Sequence, residues 1–235
     1  MTSTSTPVAL VTGASQGFGH ALVSALSRRG WRVVVDGRDA HRLHEAVAAL
    51  PSVTAVVGDV TGPAHRAALA SAVHTLGRLD LVVNNASDLG PSPMPRLAEI
   101  GLGAARDVYE TNVLAPLALL QALLPDLRAA AGTVVDISSD AALEAYPGWG
   151  AYGSSKAALD QLSAVLASEE PALRVYAVDP GDMRTDMHQR AFPDEDISDR
   201  PLPDTVVPSL LRLLDVRPAS GRYRAADWAI ARATR

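Results

Sequence analysis

Tyr152 and Lys156 lie four residues apart, and on a helix that spacing puts both side chains on one face. A phenol with an ordinary pKa near 10 is a poor acid–base catalyst at neutral pH. Bringing it to about 7 takes roughly 4 kcal/mol of preference for the phenolate. One ammonium about 4 Å away supplies that much at an effective dielectric near 20. The chemistry open to the pair is therefore proton exchange with an oxygen of a bound substrate. The plain alternative is a solvated tyrosine and lysine on a helix surface. Composition weighs against it, because Lys156 is the only lysine among 21 basic residues, and one of just five tyrosines precedes it by four. Ser139 stands thirteen residues before Tyr152, and Asn112 twenty-seven before Ser139. Each taken alone would read as a cap or turn residue.

A second constellation is Thr12-Gly13-Ala14-Ser15-Gln16-Gly17-Phe18-Gly19. A chain entering a helix there aims unpaired backbone N–H groups and the positive end of the helix dipole at an anion. Glycines permit the tight turn and the close approach of a pyrophosphate. Three glycines at fixed offsets are a weak signal by themselves, and a plain tight turn would use them too. Their place at the first strand-to-helix junction makes Gly13, Ser15, Gln16, Gly17, Phe18 and Gly19 candidates for a dinucleotide site.

The elements that must position these residues alternate along the chain. Strands are predicted at Val8–Thr12, Arg32–Val35, Thr54–Val57, Leu79–Val83, Thr133–Ile137 and Leu173–Val178. Helices are predicted at His20–Arg29, Ala40–Leu50, Ala64–Leu76, Ala104–Leu127 and Tyr152–Ser168. Alternation with near-continuous apolar strands predicts α/β architecture: a doubly wound, Rossmann-like parallel sheet of about seven strands in three α/β/α layers. The 235 residues read as one domain, 1–235, with no repeat or dividing linker. Three irregular segments, Asp88–Pro95, Asp140–Trp149 and Gly181–Pro203, follow carboxyl ends of predicted strands, where open α/β sheets bind ligands.

The Gly-x-x-x-Gly-x-Gly spacing and the Asn112–Ser139–Tyr152–Lys156 series together resemble the short-chain dehydrogenase/reductase family. The resemblance covers residues 7–185 well and the rest loosely. It implies that Tyr152 exchanges the proton and Ser139 hydrogen-bonds the substrate oxygen. Lys156 would hold the nicotinamide ribose and lower the tyrosine pKa, and Asn112 would support a proton-relay water. Further cofactor contacts follow by matching position: Asp59 and Val60 after the third strand, Asn85, Ala86 and Ser87 after the fourth, and Pro180, Gly181, Met183 and Thr185 after the sixth. Ser87 stands where the family usually has glycine. An acidic residue selecting NAD would occupy position 37, here Gly37, while Arg38 matches the arginine that NADP-preferring members keep for the 2′-phosphate. Asp36 should point to the opposite face. NADP(H) is the expected cofactor, with NAD(H) left open. Residues 182–203 would form a substrate lid shorter than usual, and Tyr146, Trp149, Met187 and His188, with Met183 and Phe192, are candidates for the pocket wall.

The expected function is hydride transfer between nicotinamide and a ketone, aldehyde or secondary alcohol. The alternatives are a cofactor-binding sensor or scaffold without turnover, and a non-redox epimerase, dehydratase or cyclase on the same fold. A net charge of −5 gives no support for nucleic acid or an anionic membrane as partner. The chain has no cysteine, which removes disulfides and thiolate metal sites. His41 and His44, with Asp39 and Glu45 nearby, read as a solvated face, so no metal is expected. The apolar run Leu114–Leu127 is interrupted by Pro116 and Pro125 and falls short of a membrane span. Met1–Thr6 is polar, expected to fray, and lacks the blocks of a signal peptide. A cytoplasmic homodimer or homotetramer is expected, its long alanine- and leucine-rich helices forming the contact.

Overall fold

Successive strand residues face opposite sides of a sheet, and here both sides are apolar. The computed structural model describes residues 6–229, so the expected fraying of Met1–Thr6 falls, but for Thr6, outside the described residues. Seven strands are present: β1 (Val8–Val11), β2 (Arg32–Gly37), β3 (Val53–Val57), β4 (Leu81–Asn84), β5 (Thr133–Ile137), β6 (Arg174–Asp179) and β7 (Gly221–Arg224). They form one parallel sheet in the order β3-β2-β1-β4-β5-β6-β7. All six pairings are parallel, for example Val83 opposite Val135 and Asp136 opposite Ala177. The strand order reverses between β1 and β4, which is where a doubly wound sheet opens a crevice.

On one face, Ala9, Val11, Val33, Val35, Val83, Val135 and Val178 pack under α1 (Gly17–Arg28), α2 (Ala40–Val47) and α8 (Pro203–Val216). On the other, Val8, Leu10, Val34, Val82, Val134 and Val175 pack under α3 (Pro63–Leu76), α5 (Ala115–Ala130) and α6 (Gly150–Glu169). The alternation along each strand thus fills both halves of the core.

Two expectations change. The helix expected at Ala104–Leu127 is a longer run, Leu102–Ala130, made of α4 (Leu102–Tyr109), a π-helical turn at Glu110–Leu114, and α5. Neither proline interrupts it. Pro116 follows directly on the π-helical turn, where the regular hydrogen-bond ladder is already interrupted, and Pro125 lies on the exposed side of the helix. By length and composition this run could cross a membrane. Its Leu119, Leu123 and Leu127, however, are fully buried in the sheet-facing core. The second change is in the tail, where α8 and β7 follow the expected lid. Leu210 and Leu213 of α8 fill the core beside α1, and β7 extends the sheet at its edge.

Candidate active site

Thr12 ends β1 at the point where the strand order reverses. Its hydroxyl oxygen accepts from the N–H groups of both Asn85 and Ala86 at 3.0 Å, and the Asn85 amide donates to the carbonyls of Thr12 and Gly13 at 2.8 and 3.0 Å. The glycine loop and the turn after β4 are therefore stitched together. Gly13, at φ +66°, and Gly19 are required by that approach. A Cβ on Gly13 would lie 2.8 Å from Ala86 Cα, and one on Gly19 would lie 2.5 Å from Gly13 O. Helix α1 begins after Gln16 with no side-chain cap and no acidic residue in its first turn. Its N–H groups are left to an anion. By contrast, α2 is capped by Asp39 and the short lid helix α7 (Asp186–Ala191) by Thr185.

The end of β2 bears on cofactor choice. Asp36 is buried, its carboxylate accepting from Gly13 N–H at 2.6 Å and pairing with His65 Nε2 at 3.1 Å. It faces the loop and α3. Gly37 offers no side chain, and a Cβ there would press on Ser15 at 3.3 Å. Arg38 lines the rim with no carboxylate among the described residues hydrogen-bonded to it, and Arg42 reaches Gln16 at 2.9 Å. Asp59 folds back to cap Thr61, accepting from its N–H and hydroxyl. Burial pulls its pKa upward, but those two bonds and the nearby Arg38 and His65 outweigh it and leave the pKa below its ordinary value.

A cleft of about 560 Å³ runs along the carboxyl ends of the strands, a size suited to a small-molecule cofactor site. It is lined by Gly13, Ser15, Gln16, Gly17 and Phe18, then by Arg38, Asp59 and Val60. Asn85, Ala86 and Ser87 follow, then Pro180, Gly181, Met183 and Thr185, with Ser139, Tyr152 and Lys156 at its centre. Gly19 lies just behind the loop.

Tyr152 is buried and packed edge-on against Trp149 at 5.7 Å between ring centroids. Lys156 Nζ lies 5.6 Å from the Tyr152 ring centroid but donates to Ile137 O at 2.7 Å. The expected lowering of the phenol pKa by the ammonium is not what this geometry delivers. Burial pushes Tyr152 up to about 12, with the Asp140 and Asp179 carboxylates adding to the rise and Ser139 and Ser87 opposing it. Lys156 is itself held down to about 8 by burial, against the raising influence of Asp136 and Asp160. Asp136, across β5, is buried and pushed up by desolvation, although Ser163 and Asn84 donate to it at 2.6 and 2.7 Å.

Asn112, in the π-helical turn, is fully buried and behind the cleft wall. Its Oδ1 accepts from Asp88 N–H at 2.7 Å and Ser87 Oγ at 3.1 Å, and its Nδ2 donates to Asp88 O and Ser155 Oγ. All four hydrogen-bonding places of the amide are filled by protein groups, so the side chain clasps the β4–α4 loop to α6 rather than offering itself to a water.

At the substrate end, Trp149, Met187 and His188 line the cleft together with Leu89. His188 is buried, with Nδ1 3.8 Å from Asp182. Two candidates do not reach the cleft. Tyr146 is exposed, its hydroxyl drawn outward between Asp140 at 3.1 Å and Glu144 at 2.7 Å, and Phe192 sits behind Trp149 and His188. The sequence reading also missed residues that shape the site: Asp136 opposite Lys156, Asp140 accepting from Ser139 Oγ at 2.9 Å, and Arg222 of β7. Arg222 pairs with Asp160 at 2.9 Å and donates to Ser139 O at 2.8 Å. Only the buried polar position of Asp136 within an apolar strand carried a signal; the others depend on contacts between distant segments.

A model of the short chain dehydrogenase family matches residues 7–196. Mouse sepiapterin reductase is 36% identical over 201 residues, covering 78% of this chain and 77% of the relative. Serine 3-dehydrogenase of Agrobacterium fabrum is 36% identical over 182 residues, covering 75% and 72%. Among solved structures, a short-chain dehydrogenase of Shigella flexneri complexed with NADP superposes with a TM-score of 0.88 at 31% identity, covering 94% of this chain and 97% of that one. The family match over residues 7–196, the relatives of 36% identity and the superposition of the parallel sheet agree, and this chain belongs to the short-chain dehydrogenases.

Proposed function

We propose that the protein is an NADP(H)-dependent reductase of ketones or aldehydes, or the reverse alcohol dehydrogenase. The observation that carries the cofactor reading is the end of β2. Of the two carboxylates there, Asp36 is committed to Gly13 N–H and His65 and Asp39 to the start of α2, Gly37 has no side chain, and Arg38 stands at the cleft rim. A 2′-phosphate would meet cations rather than a carboxylate. The NADP held by the Shigella relative supports the same choice. The residues fit a dinucleotide: the uncapped start of α1 for the pyrophosphate, Asp59 and Val60 for the adenine, Lys156 and Tyr152 for the nicotinamide ribose, and Pro180–Thr185 across the nicotinamide. When bound, the nicotinamide supplies or accepts the hydride. Tyr152 gives its proton to the substrate oxygen in reduction and receives it in oxidation. Ser139 orients that oxygen. Trp149, Met187 and Leu89 exclude water around it. Apolar side chains left exposed on α4, the π-helical turn and α6, namely Tyr109, Leu114 and Val165, support self-association.

The test is fluorescence titration with NADPH and NADH, together with NADPH consumption over a panel of ketones and aldehydes. Arg38→Ala should weaken NADPH about tenfold or more, the worth of one charge-assisted contact, and leave NADH within about twofold. Equal weakening of both cofactors, or binding of neither, overturns the reading.

A further inference from the structure

We propose that Arg222, on the edge strand β7, is a positioning residue: its guanidinium bridges the Ser139 carbonyl and the Asp160 carboxylate of α6, and so sets where the Ser139 hydroxyl stands relative to Tyr152. The inference rests on the reductase reading, in which Ser139 orients the substrate oxygen. It adds to that reading a group from beyond residues 7–196, the stretch that the family model matches.

The sheet ladder reaches Ser138, whose N–H donates to Val178 O at 2.8 Å. Ser139 then leaves the sheet and opens the short turn Asp140–Ala142. Its Oγ donates to the Asp140 carboxylate at 2.9 Å and accepts from Ala141 N–H at 3.2 Å. Both partners belong to that turn, so the hydroxyl moves wherever the turn moves. The Ser139 carbonyl accepts from Ala142 N–H at 3.1 Å inside the turn and from Arg222 Nη2 at 2.8 Å from outside it. Arg222 Nε donates to Asp160 Oδ2 at 2.9 Å. Nε and Nη2 share one edge of a planar guanidinium, so the two contacts keep a fixed spacing.

That spacing matters because Asp160 shares its helix with the groups that act on substrate and cofactor. Tyr152, Lys156 and Asp160 follow at four-residue steps along one face of α6. The first turn of this helix lies close against the Ser139 turn, since a Cβ on Gly153 would stand 2.6 Å from Ala141 O. Steric contact at Gly153 thus limits how near the turn can come to the helix, and the Arg222 bridge limits how far it can go. The side chains of Arg222 and Asp160 are only 23% and 14% exposed, so the pair is not a loosely held surface one. Arg222 does not line the cleft itself and acts through Ser139. Asp160 offers a second route, through Lys156, where burial lowers the pKa and the Asp136 and Asp160 carboxylates oppose it.

The experiment compares Arg222→Ala and Ser139→Ala, alone and together, with NADPH and ethyl acetoacetate as probe. NADPH affinity and amide hydrogen exchange are measured on the same proteins. Arg222→Ala should lower kcat about tenfold and leave NADPH affinity within about twofold. Ser139→Ala keeps the carbonyl but has no hydroxyl to misplace, so adding Arg222→Ala to it should lower kcat by less than about twofold. An arginine with a merely structural role would lower kcat by the same factor in both backgrounds. Exchange at the Ala141 and Ala142 amides should rise about tenfold or more in Arg222→Ala, with no rise along β5. Arg222→Met, which keeps an apolar stem, serves if the alanine variant folds poorly. An unchanged kcat, unchanged exchange at the two amides, or a full-size loss in the Ser139→Ala background overturns the proposal, the last by routing the effect through Asp160 to Lys156. Absence of turnover in the parent would fail the reductase reading instead, and the exchange at Ala141 and Ala142 would still decide whether Arg222 holds Ser139.

Discussion

Lys156 carries the only ammonium of a lysine side chain in the protein, and it carries it in the interior. Burial holds its pKa down to about 8 from an ordinary 10.5. Between those values the unfolded chain binds a proton that the folded chain does not, so stability must rise with pH across that window. Below pH 8 both states are protonated and the cost of burying the charge is fully present. Chemical denaturation of the parent and of Lys156→Met at several pH values checks this. The parent should gain about 3 kcal/mol relative to the variant between pH 8 and 10.5, and a constant difference would show that the ammonium is solvated. At this scale the sequence was legible where spacing alone matters: Asn112, Ser139, Tyr152 and Lys156 do converge. It was not legible where burial matters. The Tyr152–Lys156 separation predicts a lowered phenol, but a buried ring beside Asp140 and Asp179 is pushed the other way, and no spacing rule contains those two carboxylates.

The elements show the same division. The alternation of β-branched strands with helices made β1 to β6 readable to within a few residues, because both faces of a parallel strand must be apolar. Helix α8 was hidden by Pro203 and Pro208, yet Pro203 occupies the first turn and Pro208 the exposed side, where a missing N–H is tolerated. Strand β7 was hidden by its Arg-Tyr-Arg composition, which suits a short edge strand and guards it against pairing with another chain. Helix α8 completes the core on the α1 face, where Leu210 is fully buried. Leu210→Ala should therefore cost about 2–5 kcal/mol in denaturant unfolding while leaving NADPH affinity within about twofold. A change under about 0.5 kcal/mol, the size expected of a surface position, would mean that α8 is peripheral. Arg222 shows what β7 adds to the site, since it ties Ser139 O to Asp160 across two elements.

Across the whole molecule, the cleft lies where the strand order reverses, and every loop that lines it leaves the same end of the sheet. Outside the cleft, Tyr109 of α4, Leu114 of the π-helical turn and Val165 of α6 are exposed to solvent. Light scattering should find a dimer or tetramer, and Leu114→Glu with Val165→Glu should shift it towards the monomer. A parent that is monomeric at all concentrations would exclude these helices as a contact. The sequence by itself determined the layered α/β architecture, the glycine loop and the Tyr152–Lys156 pair, because strand periodicity, helix spacing and backbone sterics act over a few residues. Only the tertiary structure decided that Asp36 is spent on Gly13 and His65, that Asn112 is saturated and that Tyr146 faces outward. Each of those depends on which distant groups share a buried space, and desolvation and hydrogen-bond competition there are set by the packed fold rather than by the chain's local order.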